Sequence, residues 1–272
     1  MTNPTELLNS RYGASAVPAD SLWNDSLTTL LSHRSIRAYQ SDPLPSGTLE
    51  ILVAAAQSAS TSSNLQTWSV VAVEDANRKE KLSQLAGNQA HIRQCPLFLV
   101  WLADLARLTQ IAESRGLPHE GLDYLEMFLM ATLDAALAAQ NASVAAESLG
   151  LGTVYIGAMR NHPEEVATVL NLPPQVFAVF GLCVGYADPA HAAAIKPRLP
   201  QSAVLNRETY QLEQSGAIAQ YNEVMKAFYT AQQMNIPGDW SEHSVKRVGF
   251  AESLSGRDRL REALNNLGFQ LR

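Results

Sequence analysis

LDYLEMFLMATLDAALAAQNASVAAESL, residues 122–149, is the richest apolar segment of the chain. It predicts one long helix that is apolar on nearly every face and lies at the centre of the fold or at a subunit interface. Gly150-Leu151-Gly152 ends this helix, since glycine readily adopts the left-handed cap conformation. The apolar positions include Leu125, Phe128, Leu129, Leu133, Leu137 and Val144, and the acidic interruptions are Asp123, Glu126, Asp134 and Glu147.

Short apolar runs alternate with helical patterns along the rest of the chain. Runs of β-branched and aromatic residues predict strands, and apolar residues three and four positions apart predict helices. The predicted strands are 68–73, 96–102, 153–156 and 177–184, and the other predicted helices are 21–31, 48–59, 76–85, 163–170, 215–234 and 257–267. After Lys196 the pattern is helical and more polar, without strand signals.

We divide the chain into three segments on this basis. Residues 1–20 are predicted to form a mobile N-terminal arm, and residues 21–200 the main domain. Residues 201–272 are a helical C-terminal extension of the same domain rather than a second complete domain.

Composition limits the classes of function. The 272 residues carry a net charge of −6, which disfavours a nucleic-acid partner because such proteins present a basic face. The acidic residues within 122–149 argue against a membrane span, which needs about 18 uncharged apolar residues. Cys95 and Cys183 lie in apolar runs without metal-ligand spacing, so we expect buried free thiols, a cytoplasmic location and no metal. Residues 1–6, MTNPTE, lack the features of a secretory signal.

Two compact cationic clusters stand out in this acidic chain. The first is Ser32-His33-Arg34-Ser35-Ile36-Arg37, and the second is Lys196-Pro197-Arg198-Leu199-Pro200. Arginine supplies forked donors, lysine a point charge and serine a neutral donor, so the two clusters together suit a phosphate monoester. Taken separately, the first also fits a solvated surface run and the second a rigid loop.

Two further stretches carry polar or glycine signals. Residues 58–66, SASTSSNLQ, place hydroxyls and amides at a helix end, where they suit a ribityl-type chain or the polar edge of a ring, or simply form a connecting turn. Residues 150–157, GLGTVYIG, do not fit a dinucleotide fingerprint, because Tyr155 stands where the third glycine belongs and the glycines follow a helix. What remains is a strand ending at Gly157, whose backbone N–H can approach a flat ligand closely.

In order and spacing, these motifs resemble the FMN-dependent nitroreductase superfamily, and most closely its NADPH-dependent nitroreductase and flavin reductase branch. The resemblance rests on His33-Arg34-Ser35-Ile36-Arg37, Leu65-Gln66, Tyr155-Ile156-Gly157, residues 180–185 (FGLCVG) and residues 196–200 (KPRLP), and it extends from Ser26 to the C-terminus. It implies an α+β fold in which a sheet is flanked by helices. It also implies an interlocked homodimer with FMN at each interface.

The resemblance also implies the site residues. Thr61 and Ser62 would reach the flavin from the other subunit, and the Gly157 amide would point at flavin N5. Glu126 matches a carboxylate near the substrate, although it equally fits a polar break in a buried helix. The implied FMN-binding residues are His33, Arg34, Ser35, Ile36, Arg37, Thr61, Ser62, Gln89, Tyr155, Ile156, Gly157, Ala158, Lys196, Pro197 and Arg198.

The implied activity is that of an NAD(P)H-dependent flavin oxidoreductase. Hydride would pass from the nicotinamide to flavin N5 and then to a nitroaromatic, a quinone or free flavin in the same slot, which gives ping-pong turnover without a side-chain nucleophile. Two alternatives stay open, namely a flavin-binding redox sensor or FMN store, and an enzyme that consumes the flavin itself. The physiological acceptor is not encoded in any motif of this sequence.

The sequence departs from the family at two places. Gln232 stands where close relatives carry an arginine for the 2′-phosphate of NADPH, and Arg257, counted back from the C-terminus, is the other candidate. Loss of one charged contact would cost about 1.5–3 kcal/mol, so we expect a weakened preference for NADPH over NADH. Ala158 stands where close relatives often carry a second glycine, and its methyl group would slightly narrow the space at the flavin face.

Overall fold

The computed structural model describes residues 3–13 and 22–272, which divide into two compact units. The sheet unit consists of residues 35–192 and 255–272. The helical unit consists of the described residues up to 34 together with residues 193–254. The units interleave along the chain, so the division at residues 20 and 200 stays a prediction.

The helical unit contains only helices and turns among its described residues. Its helices are α1 (Pro4–Tyr12), α2 (Asp25–Ser32), α9 (Ser215–Ala231) and α10 (Trp240–Val248). The sheet unit contains α3 (Thr48–Gln57), α4 (Ala76–Leu85), α5 (Ala90–Gln94), α6 (Ala106–Ser114), α7 (Leu125–Ser148), α8 (Pro163–Leu170) and α11 (Leu260–Asn266). Its strands are β1 (Trp68–Val73), β2 (Leu97–Asp104), β3 (Gly152–Ile156) and β4 (Val176–Gly185).

The four strands form one antiparallel sheet in the order β1-β2-β4-β3. β2 is buried along its whole length, as expected of a central strand covered on both faces. The register between β2 and β4 shifts by one residue at Trp101/Leu102. The structure confirms the predicted strands, with boundaries that differ by one or two residues.

Helix α7 is confirmed, but its two faces differ from the prediction of a helix apolar all round. Alanines fill the buried face, where they pack in one core with Leu99 of β2 and Leu52 of α3. Small side chains allow a helix to approach a sheet closely, and alanine loses no rotamer entropy on burial. The large residues Leu125, Leu129, Leu133 and Leu137 instead form a half-exposed stripe on the opposite face.

The last residues of the chain return to the sheet unit. Phe269 is buried, and its ring packs edge-on against Phe128 at a centroid distance of 5.3 Å. The Gln175 N–H donates to the Leu267 carbonyl at 2.8 Å, and the Arg272 N–H donates to the Asp123 carbonyl at 3.0 Å. Residues 255–272 therefore complete the core around α7.

The N-terminal segment differs from the predicted mobile arm. Asn3 caps α1 by accepting the Thr5 N–H at 2.9 Å, and Pro4 fits the first turn because its missing N–H needs no partner there. Leu7, Leu8 and Arg11 are buried, which fixes the helix through one face. Residues 14–20 of the predicted arm and Ser21 of the next predicted helix lie outside the described residues.

Candidate functional site

Residues 35–40 run along β3 and the end of β4. The Ile36 N–H donates to the Thr153 carbonyl at 2.9 Å, and the Gln40 N–H donates to the Tyr186 carbonyl at 2.9 Å. The Ile36 side chain is buried in the space above Gly152, where an added Cβ would lie 2.6 Å from Ile36 Cγ1. Ile36 is therefore an anchor, and it holds its neighbour Arg37 at an exposed position.

The side chain of Tyr39 also holds residues 35–40 in place. Its hydroxyl donates to the Ile36 carbonyl at 2.8 Å and lies 3.4 Å from the Cys183 carbonyl. Burial raises the pKa of Tyr39 far above its usual value, so the hydroxyl keeps its proton and its role as a donor. The backbone that carries Arg37 is thereby tied to the sheet.

In the helical unit, Arg11 joins the two predicted basic segments. Its guanidinium donates to the carbonyls of Leu31 at 3.2 Å, His33 at 2.6 Å and Lys196 at 2.9 Å. The Arg198 N–H donates back to the Arg11 carbonyl at 2.8 Å. The structure thus brings His33 and Lys196 together through a buried arginine that the sequence analysis missed.

The signal for Arg11 is present in the sequence but weak. Leu7, Leu8 and Arg11 recur at the spacing of one helical face, so the arginine shares a face with two buried leucines. A guanidinium on such a face requires several acceptors, and here the backbone of two distant segments provides them. Only the tertiary structure reveals those acceptors.

The turn after α3 has an unusual backbone. Ser63, Asn64 and Gln66 have φ values of 49°, 54° and 51°, in the left-handed region that non-glycine residues seldom adopt. Each such residue costs on the order of 1–3 kcal/mol and persists only where the surroundings enforce it. The surrounding hydrogen bonds therefore determine the shape of the predicted polar turn.

Asp134 of α7 supplies the main restraint on this turn. One carboxylate oxygen accepts the Ser62 N–H at 3.1 Å, and the other accepts the Thr67 N–H at 3.3 Å and the Thr67 hydroxyl at 3.2 Å. Arg107 contributes from the other side by donating to the Gln66 carbonyl at 2.8 Å. In the sequence, Asp134 stands out only as an acidic interruption of an apolar helix, which does not indicate this role.

The end of β3 presents an aromatic ring and a glycine. The Tyr155 ring packs edge-on against Phe180 at 5.2 Å, and its hydroxyl donates to Gln140 Oε1 at 3.3 Å. Burial, with a smaller contribution from the Glu147 charge, raises the pKa of Tyr155. Ile156 is buried, and Gly157 begins a short 3-10 turn, Gly157–Arg160.

Two arginines lie near this turn. Arg160 has a terminal nitrogen 3.4 Å from the position that a Cβ on Gly157 would occupy, and it donates to the Val179 carbonyl. Arg257 donates from Nε to Asn161 Oδ1 at 2.9 Å. Burial, followed by the charge of Arg257, lowers the pKa of Arg160. The predicted nicotinamide-phosphate candidate Arg257 therefore lies beside the turn that starts at Gly157.

The remaining predicted site residues lie in different local environments. Gln89 is half-buried and donates from its side-chain amide to the Ala86 carbonyl at 2.8 Å. Glu126 is exposed in the first turn of α7, so it is not a polar break inside a buried helix. The methyl group of Ala158 is buried, and Gln232 follows the last residue of α9 at an exposed position.

The predicted residues thus fall into both units. His33, Arg34, Lys196, Pro197 and Arg198 belong to the helical unit, and Gln232 lies there as well. All the other predicted residues, including Arg257, belong to the sheet unit. Across the described ranges, no helix is long and apolar enough for a membrane span, and no three His, Cys, Asp or Glu side chains group as metal ligands.

Fold and sequence together define the class of protein. The Nitroreductase family profile matches residues 30–186, and the profile of the Nitroreductase family C-terminal domain matches residues 196–272. The chain therefore belongs to the nitroreductase family. The predicted family, α+β fold and oxidoreductase class are confirmed.

Individual relatives narrow the comparison. The chain is 46% identical over 191 residues to the FMN reductase (NADPH) of Bacillus subtilis (strain 168), covering 70% of this chain and 76% of the relative. It is 39% identical over 225 residues to the oxygen-insensitive NADPH nitroreductase of Salmonella typhimurium, covering 82% of this chain and 90% of the relative. The solved structure of B. megaterium NfrA2 matches with a TM-score of 0.86 and 38% identity, covering 92% of this chain and all of the other.

Replacing Arg11 tests whether it supports the basic segments. Arg11→Met would leave the carbonyls of Leu31, His33 and Lys196 without these donors, so we expect unfolding free energy to fall by about 2 kcal/mol or more. Urea denaturation measures this change, and hydrogen exchange should quicken in residues 31–34 and 193–198. The exposed Arg115→Met is the control, and equal effects of both substitutions would contradict the role of Arg11.

Proposed function

We propose that the chain is an NAD(P)H-dependent FMN oxidoreductase that passes a hydride from NADPH or NADH to a nitroaromatic, a quinone or free flavin by ping-pong turnover. The observation that carries this proposal is the match of both family profiles over residues 30–186 and 196–272. The names of relatives agree with it, since they include an FMN reductase (NADPH), an oxygen-insensitive NADPH nitroreductase and an NADPH-flavin oxidoreductase.

The basic residues fit the phosphate of FMN by their chemistry. His33, Arg34, Lys196 and Arg198 supply nitrogen donors from segments that Arg11 holds together, and Arg37 adds an exposed guanidinium. Forked guanidiniums and an ammonium match the several oxygens and negative charge of a phosphate monoester. We assign the phosphate to this set, together with Ser35.

The remaining residues suit the ring system. FMN, when bound, supplies the redox chemistry by accepting hydride at N5 and returning it to the acceptor. We assign the ring face to Tyr155, Ile156, Gly157 and Ala158, with the Gly157 N–H as a donor to the ring. Thr61 and Ser62 would come from the partner subunit, and Gln89 would bind the ring edge.

The cofactor assignment makes a direct prediction. The purified protein should be yellow and release FMN rather than FAD on heating, as chromatography would show. Arg37→Ala and Lys196→Ala should each fold and lose FMN on dialysis, because each removes a charge-assisted hydrogen bond of about 1.5–3 kcal/mol. Lys81→Ala, at an exposed position of α4, should keep its flavin, and full retention by either test variant would refute that residue's role.

Reduction of the bound flavin by NADPH or NADH separates an enzyme from the alternative of a redox sensor or FMN store. In an enzyme, the flavin colour should bleach rapidly when NADPH or NADH is added and return when a quinone is added. A sensor or store would lack that recovery. We also propose a cytoplasmic location, supported by the free buried thiols Cys95 and Cys183.

We further propose that the protein is a homodimer that uses the leucine stripe of α7. Leu125, Leu129, Leu133 and Leu137 recur every four residues, and each is about half exposed in the single chain. A contiguous apolar stripe of this kind marks an interaction site. A second copy would cover the stripe, in agreement with the proposed contribution of Thr61 and Ser62 to the partner's flavin.

A charge on the stripe tests the dimer. Leu133→Glu places a carboxylate at the proposed interface, so sedimentation velocity should show a shift from dimer to monomer, with loss of FMN. Ile111→Glu, at a comparably exposed position of α6, should remain dimeric. A wild-type holoprotein that sediments as a monomer would contradict the proposal.

Nicotinamide selectivity is tested at the C-terminal end of α9. With Gln232 in place of an arginine, we expect the wild type to prefer NADPH by less than about a hundredfold in kcat/KM. Gln232→Arg should lower the KM for NADPH by about one to two decades and leave NADH unchanged, because the 2′-phosphate is remote from hydride transfer. The neighbouring Gln233→Arg is the matched control. A thousandfold preference in the wild type would show that the phosphate is bound elsewhere.

A further inference from the structure

The strained turn after α3 depends on a single buried side chain. Asp134 is 2% exposed and lies in the middle of α7, where it accepts hydrogen bonds from Ser62 and Thr67. These residues flank the left-handed positions Ser63 and Asn64. The carboxylate therefore joins the two ends of the turn to one rigid helix.

We propose that Asp134 is a positioning residue for the cofactor site, where it holds residues 61–67 in the conformation that presents Thr61 and Ser62 to FMN. This inference rests on the proposed function, since it takes FMN as the ligand of the turn. Asp134 itself acts only through the turn.

The chemistry of the three bonds requires a carboxylate. All three partners of Asp134 act as donors towards it, namely two backbone N–H groups and the Thr67 hydroxyl. An ionised carboxylate accepts on both oxygens, whereas asparagine offers one acceptor and one NH₂ group. In Asp134→Asn, the NH₂ group would therefore face an N–H at one end of the turn.

The backbone conformation of the turn explains why these hydrogen bonds are needed. Ser63, Asn64 and Gln66 adopt the left-handed region, which a loop of these residues would leave if it were released. Arg107 restrains only the far end, through the carbonyls of Gln66 and Trp68. Loss of the Asp134 bonds should therefore free the near end, where Thr61 and Ser62 lie.

The position of Asp134 within α7 connects the turn with the proposed dimer. Asp134 directly follows Leu133 of the exposed stripe, and its neighbours on the buried face are Met130 and three alanines, Ala131, Ala135 and Ala138. The same helix thus carries the support of the turn on one face and the proposed partner contact on the other. A turn fixed to this helix is oriented relative to the interface.

The test measures FMN affinity and the turn itself. Flavin-free wild type and Asp134→Asn are titrated with FMN by fluorescence quenching, and we expect Kd to rise at least about tenfold in the variant. Amide hydrogen exchange at Ser62 and Thr67 in the flavin-free protein should quicken at the same time. Asn141→Ala is the matched control, because it removes a bond from α7 to the Ala55 carbonyl of α3 and touches no residue of the turn.

A rescue separates positioning from general damage. Ser63→Gly lowers the cost of the left-handed conformation, so adding it to Asp134→Asn should recover part of the FMN affinity. General destabilisation of α7 would not be repaired by an exposed glycine in the turn. Where Asp134→Asn fails to fold, Thr67→Val, which removes only the hydroxyl bond, should still raise Kd measurably.

The outcomes distinguish this inference from the proposed function. Unchanged FMN affinity in Asp134→Asn, with a wild type that binds FMN, overturns the positioning role and leaves the function standing. An equal loss in Asn141→Ala, or a loss that Ser63→Gly does not repair, also overturns the role. A wild type that binds no FMN overturns the proposed function, and the inference with it.

Discussion

The close packing of the alanine face of α7 is the constraint on which the placement of the predicted site residues of the sheet unit depends. From this face, Ser143 and Thr153 share a buried hydroxyl–hydroxyl bond of 2.9 Å, which ties the helix to β3. The Thr153 carbonyl in turn accepts the Ile36 N–H, next to Arg37. Nine residues earlier on the helix, about two and a half turns, Asp134 holds the strained turn. Larger residues on this face would separate the helix from the sheet and lengthen these bonds together.

The helical unit relies on a different device. Its described residues form no strand, so a side chain rather than a sheet ladder joins the basic segments. Arg11 serves this purpose because a guanidinium offers five N–H donors in a fixed plane. Burial of a charge is costly unless it is paired or hydrogen-bonded, and here the carbonyls of Leu31, His33 and Lys196 supply that compensation.

The sequence predicts the strands well and the faces of α7 poorly, for a physical reason. Strands such as 68–73 are short runs of β-branched and aromatic residues bounded by polar ones, so local pattern identifies them. In α7 both alanine and leucine count as apolar, and hydrophobicity alone cannot tell which of them faces the core. A close helix–sheet contact selects alanine, and that contact is a property of the tertiary structure.

The same distinction applies to the candidate site. The basic clusters and Gly157 stand out in the sequence because their chemistry is local and visible in a few consecutive residues, and their roles stay predictions. Arg11 and Asp134 were missed because their roles come from partners 20 to 185 residues away, at Leu31, Lys196 and Thr67. A charged residue on an otherwise buried helical face is the one sequence signal that both share.

The corner around Gly157 shows how the C-terminal segment positions Arg257. Gly256 has a φ of 84°, and an added Cβ would lie 2.8 Å from the Asn161 carbonyl oxygen, so glycine alone suits this position. The next residue, Arg257, is thereby held beside Asn161 and near Arg160. The charge of Arg257 adds to burial in lowering the pKa of Arg160, so the two guanidiniums lie close enough to interact. Because Arg257 belongs to the sheet unit and Gln232 to the helical unit, the two candidates that the sequence offers for the nicotinamide phosphate are positioned by different parts of the chain.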